Sequence, residues 1–455
     1  MINRKLDLII RDFYENHHNM ALMLDGARQV GKTVAFRRYA ESHFQNYVEI
    51  NFVKNEAARS IFNNAAGVDD IMLRLSSFTR TKLVPGKTFI LLDEVQKCPE
   101  CVTMIKFLVE DGRYTYGLTG SLLGVELKDI VRSYPVGFLD IIEVFPLDFE
   151  EFASAVGVAP SVLEHLRTCY EEERPVDSFV HKQMMRLFQI YLVVGGMPAA
   201  VDRYVNTNDM QKVSSEHEAI LRLYKRDIAQ YDPNEKLYLN DIFDLIPSEL
   251  NAKNKRFILK KLNENAKYAR YENSFLWLKN AGVAIPVFNV EEPKVPLLLN
   301  KQRNLFKLFQ NDVGLLVTQL AKGIQLKILS GEVNINYGSI YENVVAQELL
   351  SHGYSSLYYF NSKKQGELDF LLETRDGIIL PVEVKSGKDY QLHAALTNVL
   401  GNEQYNIKKG VVLCNDNLSR EENILNIPIY MVMFLKQEGR IDESMILKPD
   451  LSGLR

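Results

Sequence analysis

Eight consecutive residues, Gly26-Ala27-Arg28-Gln29-Val30-Gly31-Lys32-Thr33, follow the pattern GxxxxGK[ST] in full. Glycines in such a loop let backbone N–H groups turn inward around phosphate oxygens. Gly26, Arg28, Gln29, Val30 and Gly31 are therefore read as the cradle of a nucleotide. Lys32 would reach the β- and γ-phosphates, Thr33 would ligate Mg²⁺, and the following helix N-terminus adds positive potential. The apolar run Ala21–Leu24 before the motif reads as a buried strand, and a helical pattern starts at Thr33. A glycine turn before a helix is the plain alternative, and this strand–loop–helix context outweighs it.

Hydrolysis needs a metal-holding acid and a base. Phe89-Ile90-Leu91-Leu92-Asp93-Glu94 is an apolar run ending in two acids. A buried strand there delivers Asp93 to the metal, and Glu94 can polarise a water for attack on the γ-phosphate. Glu directly after Asp favours hydrolysis over mere binding. Tyr116-Gly117-Leu118-Thr119-Gly120-Ser121 reads as another strand ending in small hydroxyl residues. Thr119 or Ser121 could touch the γ-phosphate or the attacking water, and a simple strand-end turn competes with that reading.

A second constellation lies further along. Glu367-Leu368-Asp369-Phe370 opens one strand, and Glu383-Val384-Lys385 falls in the next. A period of two puts Glu383 and Lys385 on the same face. Glu342 lies on the amphipathic segment Ile340–Leu350. Glu342, Asp369 and Glu383 could bind Mg²⁺, and Lys385 could orient a water or steady a pentavalent phosphorane. Asp369, Glu383 and Lys385 are thus candidate catalytic residues. Two other readings stay open: ordinary surface strand positions, and a preserved core that does not cleave.

The chain has 455 residues, and at roughly 150 per domain that suggests about three domains. Hydrophobic residues at 46% and charged residues at 25% exclude disorder, collagen and coiled coil for the bulk of it. Residues 1–145 alternate apolar runs (Ala21–Leu24, Tyr47–Phe52, Phe89–Leu92, Tyr114–Leu118) with amphipathic stretches, as a parallel α/β unit does. Residues 146–235 carry helix-period patterns and read as a helical lid. Residues 236–330 read as short helices and an extended apolar piece, compatible with a winged helix. Residues 331–455 read as an α/β unit: a helix over Ser339–His352, strands at 357–361, 367–373 and 378–385, a helix at 389–400, and strands at 410–414 and 428–434.

Charge sharpens the choice of partner. The 54 basic and 58 acidic residues leave a net charge of −4, against an all-over nucleic-acid coat. Yet 251–280 holds Lys253, Lys255, Arg256, Lys260, Lys261, Lys267, Arg270 and Lys279 against Glu264 and Glu272. That window is either a phosphate-contacting face for DNA or RNA or a solvated helix face. Met1–Asp12 lacks the apolar core of a signal peptide, and no stretch reaches the ~18 apolar residues of a membrane span. With 4 cysteines there is no disulfide framework, so a cytoplasmic protein is expected. Cys98-Pro99-Glu100-Cys101 is a lone CxxC without further metal ligands, and a structural role is expected for it.

On Gly26–Thr33, Phe89–Glu94, Leu118–Ser121 and Phe145-Pro146-Leu147-Asp148-Phe149-Glu150-Glu151-Phe152, the sequence resembles prokaryotic AAA-type ATPases that carry an uncharacterised, nuclease-like C-terminal domain. Gly195-Gly196-Met197-Pro198 and Asn311-Asp312-Val313-Gly314-Leu315 carry the same resemblance. Glu342, Asp369, Glu383 and Lys385, in helix–strand–strand–strand–helix–strand order, resemble the PD-(D/E)xK nuclease core. The resemblance implies an AAA-type parallel-sheet domain, a helical or winged-helix-like middle, and a restriction-endonuclease-like α/β domain. It implies ATP and Mg²⁺ as cofactors, phosphodiester cleavage in DNA or RNA, and leaves an oligomer open. Such proteins often carry a Gly-Arg or Gly-Lys pair after the third motif. Here the pair is Gly137-Phe138, and Arg132 and Arg113 are the substitutes for an arginine finger. The expected function is an ATPase coupled to a nuclease-like domain acting on nucleic acid. The alternative is a nucleotide-dependent switch that binds a protein or DNA partner, with a catalytically silent nuclease-like fold.

Overall fold

The computed structural model describes residues 2–121, 135–231, 236–252, 255–258, 268–320, 323–331, 337–387 and 393–437. Five parallel strands build the N-terminal sheet: β1 (Ala21–Asp25), β2 (Asn46–Asn51), β3 (Thr88–Asp93), β4 (Thr115–Thr119) and β5 (Leu139–Glu143), in the order β2-β3-β4-β1-β5. β1, β3 and β4 are apolar and buried on both faces, because crossover helices such as Lys32–His43 and Pro99–Asp111 cover the sheet. β5 was not expected. It lies at the sheet edge and mixes acids with isoleucines, so it shows no continuous apolar run. The carboxyl ends of β1, β3 and β4 lie side by side, where open α/β sheets bind their ligands.

A helical middle follows, including Ser178–Val194, Pro198–Thr207 and Met210–Tyr231. The region expected to be winged-helix-like supplies helices and then a hairpin, β6 (Ala284–Val290) and β7 (Lys301–Gln310). That hairpin does not stand alone. β6 pairs in parallel with β8 (Leu357–Ser362), so the hairpin extends the C-terminal sheet. The reason is burial: Val287, Phe306, Leu308 and Phe309 join the main apolar core together with Phe370.

The remaining strands are β9 (Gly366–Glu373), β10 (Ile379–Val384), β11 (Gly410–Cys414), β12 (Ser419–Glu421) and β13 (Ile424–Pro428), and the eight-stranded order is β12-β13-β11-β10-β9-β8-β6-β7. Helix Tyr337–Ser351 precedes β8, and helix Ala394–Leu400 lies between β10 and β11. The expected element order is therefore present. The start of the expected helix at 389–400 lies partly outside the described residues. The last expected strand needs correction. The strand is β13, parallel to β11, and Ile429–Phe434 is a wholly buried 3₁₀ turn. A short apolar run buried on every side has no period that separates strand from helix.

One apolar core runs from the N-terminal helices through the middle to the C-terminal sheet. The segments Gly195–Pro198 and Asn311–Leu315 meet in it. Asp312 caps helix Val313–Gln319 and accepts a 2.6 Å hydrogen bond from the Gly196 N–H. A Cβ on Gly196 would lie 2.0 Å from the Leu147 carbonyl oxygen, so only glycine fits there. Among the described residues no helix is long and apolar enough to cross a membrane.

Candidate functional site

β1 ends at Asp25, and the loop turns at once. Gly26 has φ +134°, and a Cβ there would meet the Val144 carbonyl oxygen at 2.3 Å. Gly31 has φ +98° at the mouth of helix Lys32–His43. The buried Lys32 ammonium donates to the carbonyls of Gly26 (2.8 Å) and Ala27 (2.7 Å). Burial pulls its pKa down to about 8, against the attraction of Glu94, Asp25 and Asp93. Two outside elements hold the loop. Arg4, before the first helix, donates to the Val30 carbonyl at 3.2 Å. Arg28 pairs with Asp227 of helix Met210–Tyr231 at 3.0 Å, and Tyr224 of that helix donates to the Arg28 carbonyl at 3.4 Å. Gln29 has φ +66°, which turns the loop back on itself.

The second and third motifs converge on this loop. Thr33 Oγ1 donates to Asp93 Oδ1 at 2.8 Å, and the Thr119 hydroxyl donates to the same oxygen. Asn51, at the end of β2, donates to Asp93 Oδ2 at 2.5 Å. A hydroxyl and a carboxylate this close are the donor set that Mg²⁺ takes in a P-loop site, so Thr33 and Asp93 fit it. Glu94 follows with φ +61°. Its Oε2 accepts from Gln96 Nε2 at 2.5 Å and from Ser121 Oγ at 3.1 Å. Ser121 thus meets Glu94 rather than standing apart. Asn51, Gln96 and Asp227 escaped the sequence reading, because each lies on an element whose neighbour is set only by the fold.

The proposed arginine substitutes fare differently. Arg113 precedes β4, at the sheet end opposite the loop, and pairs with Asp111 (2.6 Å) and Asp69 (2.7 Å). It is committed far from the nucleotide loop. Arg132 lies outside the described residues.

Residues 18–153 match the family model described as AAA domain. This part of the chain has the AAA-type P-loop ATPase fold. Two further models, each described as a domain of unknown function, match residues 185–325 (DUF8612) and 337–432 (DUF4143). No curated protein matches the sequence. Among solved structures, the Walker-type ATPase PabY2304 of Pyrococcus abyssi is similar at 14% identity and a TM-score of 0.40, over 70% of this chain and 96% of that one. The ORC2 protein of Aeropyrum pernix, in ADPNP and ADP complexes, is similar at 12% identity and 0.35, over 72% and 92%. The ORC1 protein of the same organism, in complex with DNA, is similar at 14% and 0.28, over 73% and 93%. All three scores are below 0.5.

Glu342 and Asp369, with Glu367, come together around a residue the sequence reading missed. Lys307, on β7, is fully buried, and its ammonium lies 3.1 Å from Glu342, 2.9 Å from Glu367 and 3.7 Å from Asp369. Lys255 pairs with the other oxygen of Glu342. Lys385 and Glu383 pair with each other at 2.5 Å on their shared face, and the Val384 N–H donates to Asp369 at 2.9 Å. This arrangement does not fit a divalent cation as the sequence reading of Glu342, Asp369 and Glu383 expected. An ammonium already sits among the carboxylates, and among the described residues no group of three or more His, Cys, Asp or Glu side chains is placed to hold a metal ion. Lys255, expected among the phosphate contacts, points inward instead, and Lys253, Lys260, Lys261 and Lys267 lie outside the described residues. Cys98 and Cys101 are free thiols, both buried.

Asp369 reports on this cage. Burial, helped by the nearby Glu342, pushes its pKa up to about 7, while Lys307 and Lys255 pull it down. A carboxyl with a raised folded pKa contributes stability below its unfolded value, near 3.9, and loses it as pH rises through the folded value. Relative to Asp369→Asn, the wild-type chain should therefore lose thermal stability from about pH 4 to about pH 7. Parallel melting curves for the two proteins across that range would show it, and curves that stay a constant distance apart would refute the protonated state.

Proposed function

We propose that this chain is an ATP-hydrolysing nucleotide switch whose C-terminal unit does not itself cut nucleic acid. The observation behind the first half is the convergence of Lys32, Thr33, Asp93 and Glu94 at the carboxyl ends of β1 and β3. Backbone amides and Lys32 would bind the phosphates, and Thr33 and Asp93 would hold Mg²⁺. When bound, Mg²⁺ neutralises the charge that builds on the β- and γ-phosphates. Glu94, oriented by Gln96 and Ser121, would take the proton of the attacking water.

Coupling to the rest of the chain is supported by the loop's outside contacts. Arg28 touches Asp227, and Tyr224 touches both the Arg28 carbonyl and Asn311. Asn311 precedes Asp312, which binds the Gly196 N–H. A shift of the loop on nucleotide binding would thus reach the segment that joins the middle to the C-terminal sheet. The second half of the proposal is supported by Lys307, whose buried ammonium lies among Glu342, Glu367 and Asp369.

The test is a paired assay. Purified protein with Mg²⁺ should turn over ATP, and Lys32→Ala should bind nucleotide at least about tenfold more weakly. The same wild-type protein should leave supercoiled plasmid and single-stranded RNA intact with Mg²⁺ or Mn²⁺. Nicking that disappears in Lys385→Ala would overturn the non-cleaving half, and absent ATP turnover would overturn the first.

A further inference from the structure

Helix Tyr268–Asn280, β6, the turn Leu297–Asn300 and β7 enclose a groove of about 540 Å³, remote in sequence from the phosphate loop. Its floor is aromatic. Phe275 meets Phe306 edge-on at 4.7 Å between ring centroids, and Phe288 lies 5.8 Å from Phe306. Its rim is aliphatic and open to solvent: Leu276, Leu298 and Leu299 are 48%, 62% and 79% exposed. Three large side chains this exposed around one concavity mark a contact surface rather than scattered surface apolarity. Three cations, Lys279, Lys301 and Arg303, line the same groove against a single carboxylate, Glu272. The Lys301 ammonium stands 3.6 Å over the Phe288 ring. Lys279 and Arg303 both repel Lys301. Like charges gathered at an apolar hollow are relieved by an anionic partner.

The choice between anionic partners follows from the rings. Single-stranded nucleic acid would need a free aromatic face for its bases. Phe275 and Phe306 are buried, and Lys301 covers Phe288. No ring in this groove offers a base a stacking face, whereas the leucine rim suits an aliphatic or aromatic side chain. We propose that the groove binds an acidic peptide segment of a partner protein, with one apolar side chain packed against the exposed rim leucines Leu276, Leu298 and Leu299. Its flanking carboxylates pair with Lys279, Lys301 and Arg303. This surface goes beyond the nucleotide reading and stands without it, since binding is measured with no nucleotide present.

The experiment is fluorescence anisotropy on the full chain with three labelled probes: a peptide alternating glutamate with leucine, a peptide alternating glutamate with serine, and an oligothymidylate. The glutamate–leucine peptide should bind at least about tenfold more tightly than the other two. The double variant Lys301→Glu with Arg303→Glu, and separately Leu299→Asp, should each weaken it by about tenfold or more, with ATP turnover and melting temperature unchanged. Leu299 is mostly exposed, so its variant tests the groove without disturbing the core. Equal binding of the two peptides, binding indifferent to these substitutions, or no binding at all would overturn the proposal. Tighter binding of the oligothymidylate, lost in the same variants, would make the groove a nucleic-acid site and overturn it too.

Discussion

Lys307→Met should destabilise the protein by about 3–5 kcal/mol, because it leaves buried carboxylates without their counter-charge. Methionine fills much the same volume, so the loss would be electrostatic rather than a cavity. Lys307 and Glu342 are both fully buried, and Lys307 also serves Glu367 and Asp369. Burial alone would push the Glu342 carboxyl up; Lys307 and Lys255 overcome it and hold it below its ordinary value. Urea unfolding, followed by a probe in the C-terminal sheet, measures the change. The control is Glu342→Gln placed on top of Lys307→Met, which should recover part of the loss as a double-mutant cycle. If Lys307→Met alone shifts stability by less than about 1 kcal/mol, the carboxylates are satisfied some other way and the ion cage is the wrong description.

Glu94→Gln should lower ATP turnover by about 10²–10⁴-fold and leave nucleotide affinity close to wild type. The amide keeps the size of the carboxylate, and its oxygen can still accept from Gln96 Nε2 and Ser121 Oγ, so the local geometry survives. What it cannot do is accept a proton from water. Phosphate release and equilibrium binding of a labelled ATP, measured on one preparation, separate the two effects. Full turnover by Glu94→Gln would remove this residue from the base role. A parallel loss of binding would mean that Glu94 acts through the loop, whose Lys32 it attracts, rather than on water.

The candidate nucleotide site was legible in the sequence because its parts are local. A phosphate loop is made by the backbone of consecutive residues, and Gly26, Gly31, Lys32 and Thr33 carry that information by position alone. Asp93 and Glu94 announce themselves as the end of an apolar run, since a central parallel strand is buried until it reaches the sheet edge. The order of elements around Glu342, Asp369 and Glu383 was legible for the same reason: each element has its own period. What only the tertiary structure decided is which distant side chain completes each group. Lys307 lies 35 residues before Glu342 in a stretch that reads as part of another region, and a lysine on a strand looks solvated until a helix packs over it. The hairpin β6–β7 brings it inside, against Glu342, Glu367 and Asp369. Asp227 on the phosphate loop and Asp312 at Gly196 follow the same logic. Local spacing specifies conformation within a few residues, whereas the partner of a buried charge is chosen by how elements pack, where desolvation makes each pairing matter most.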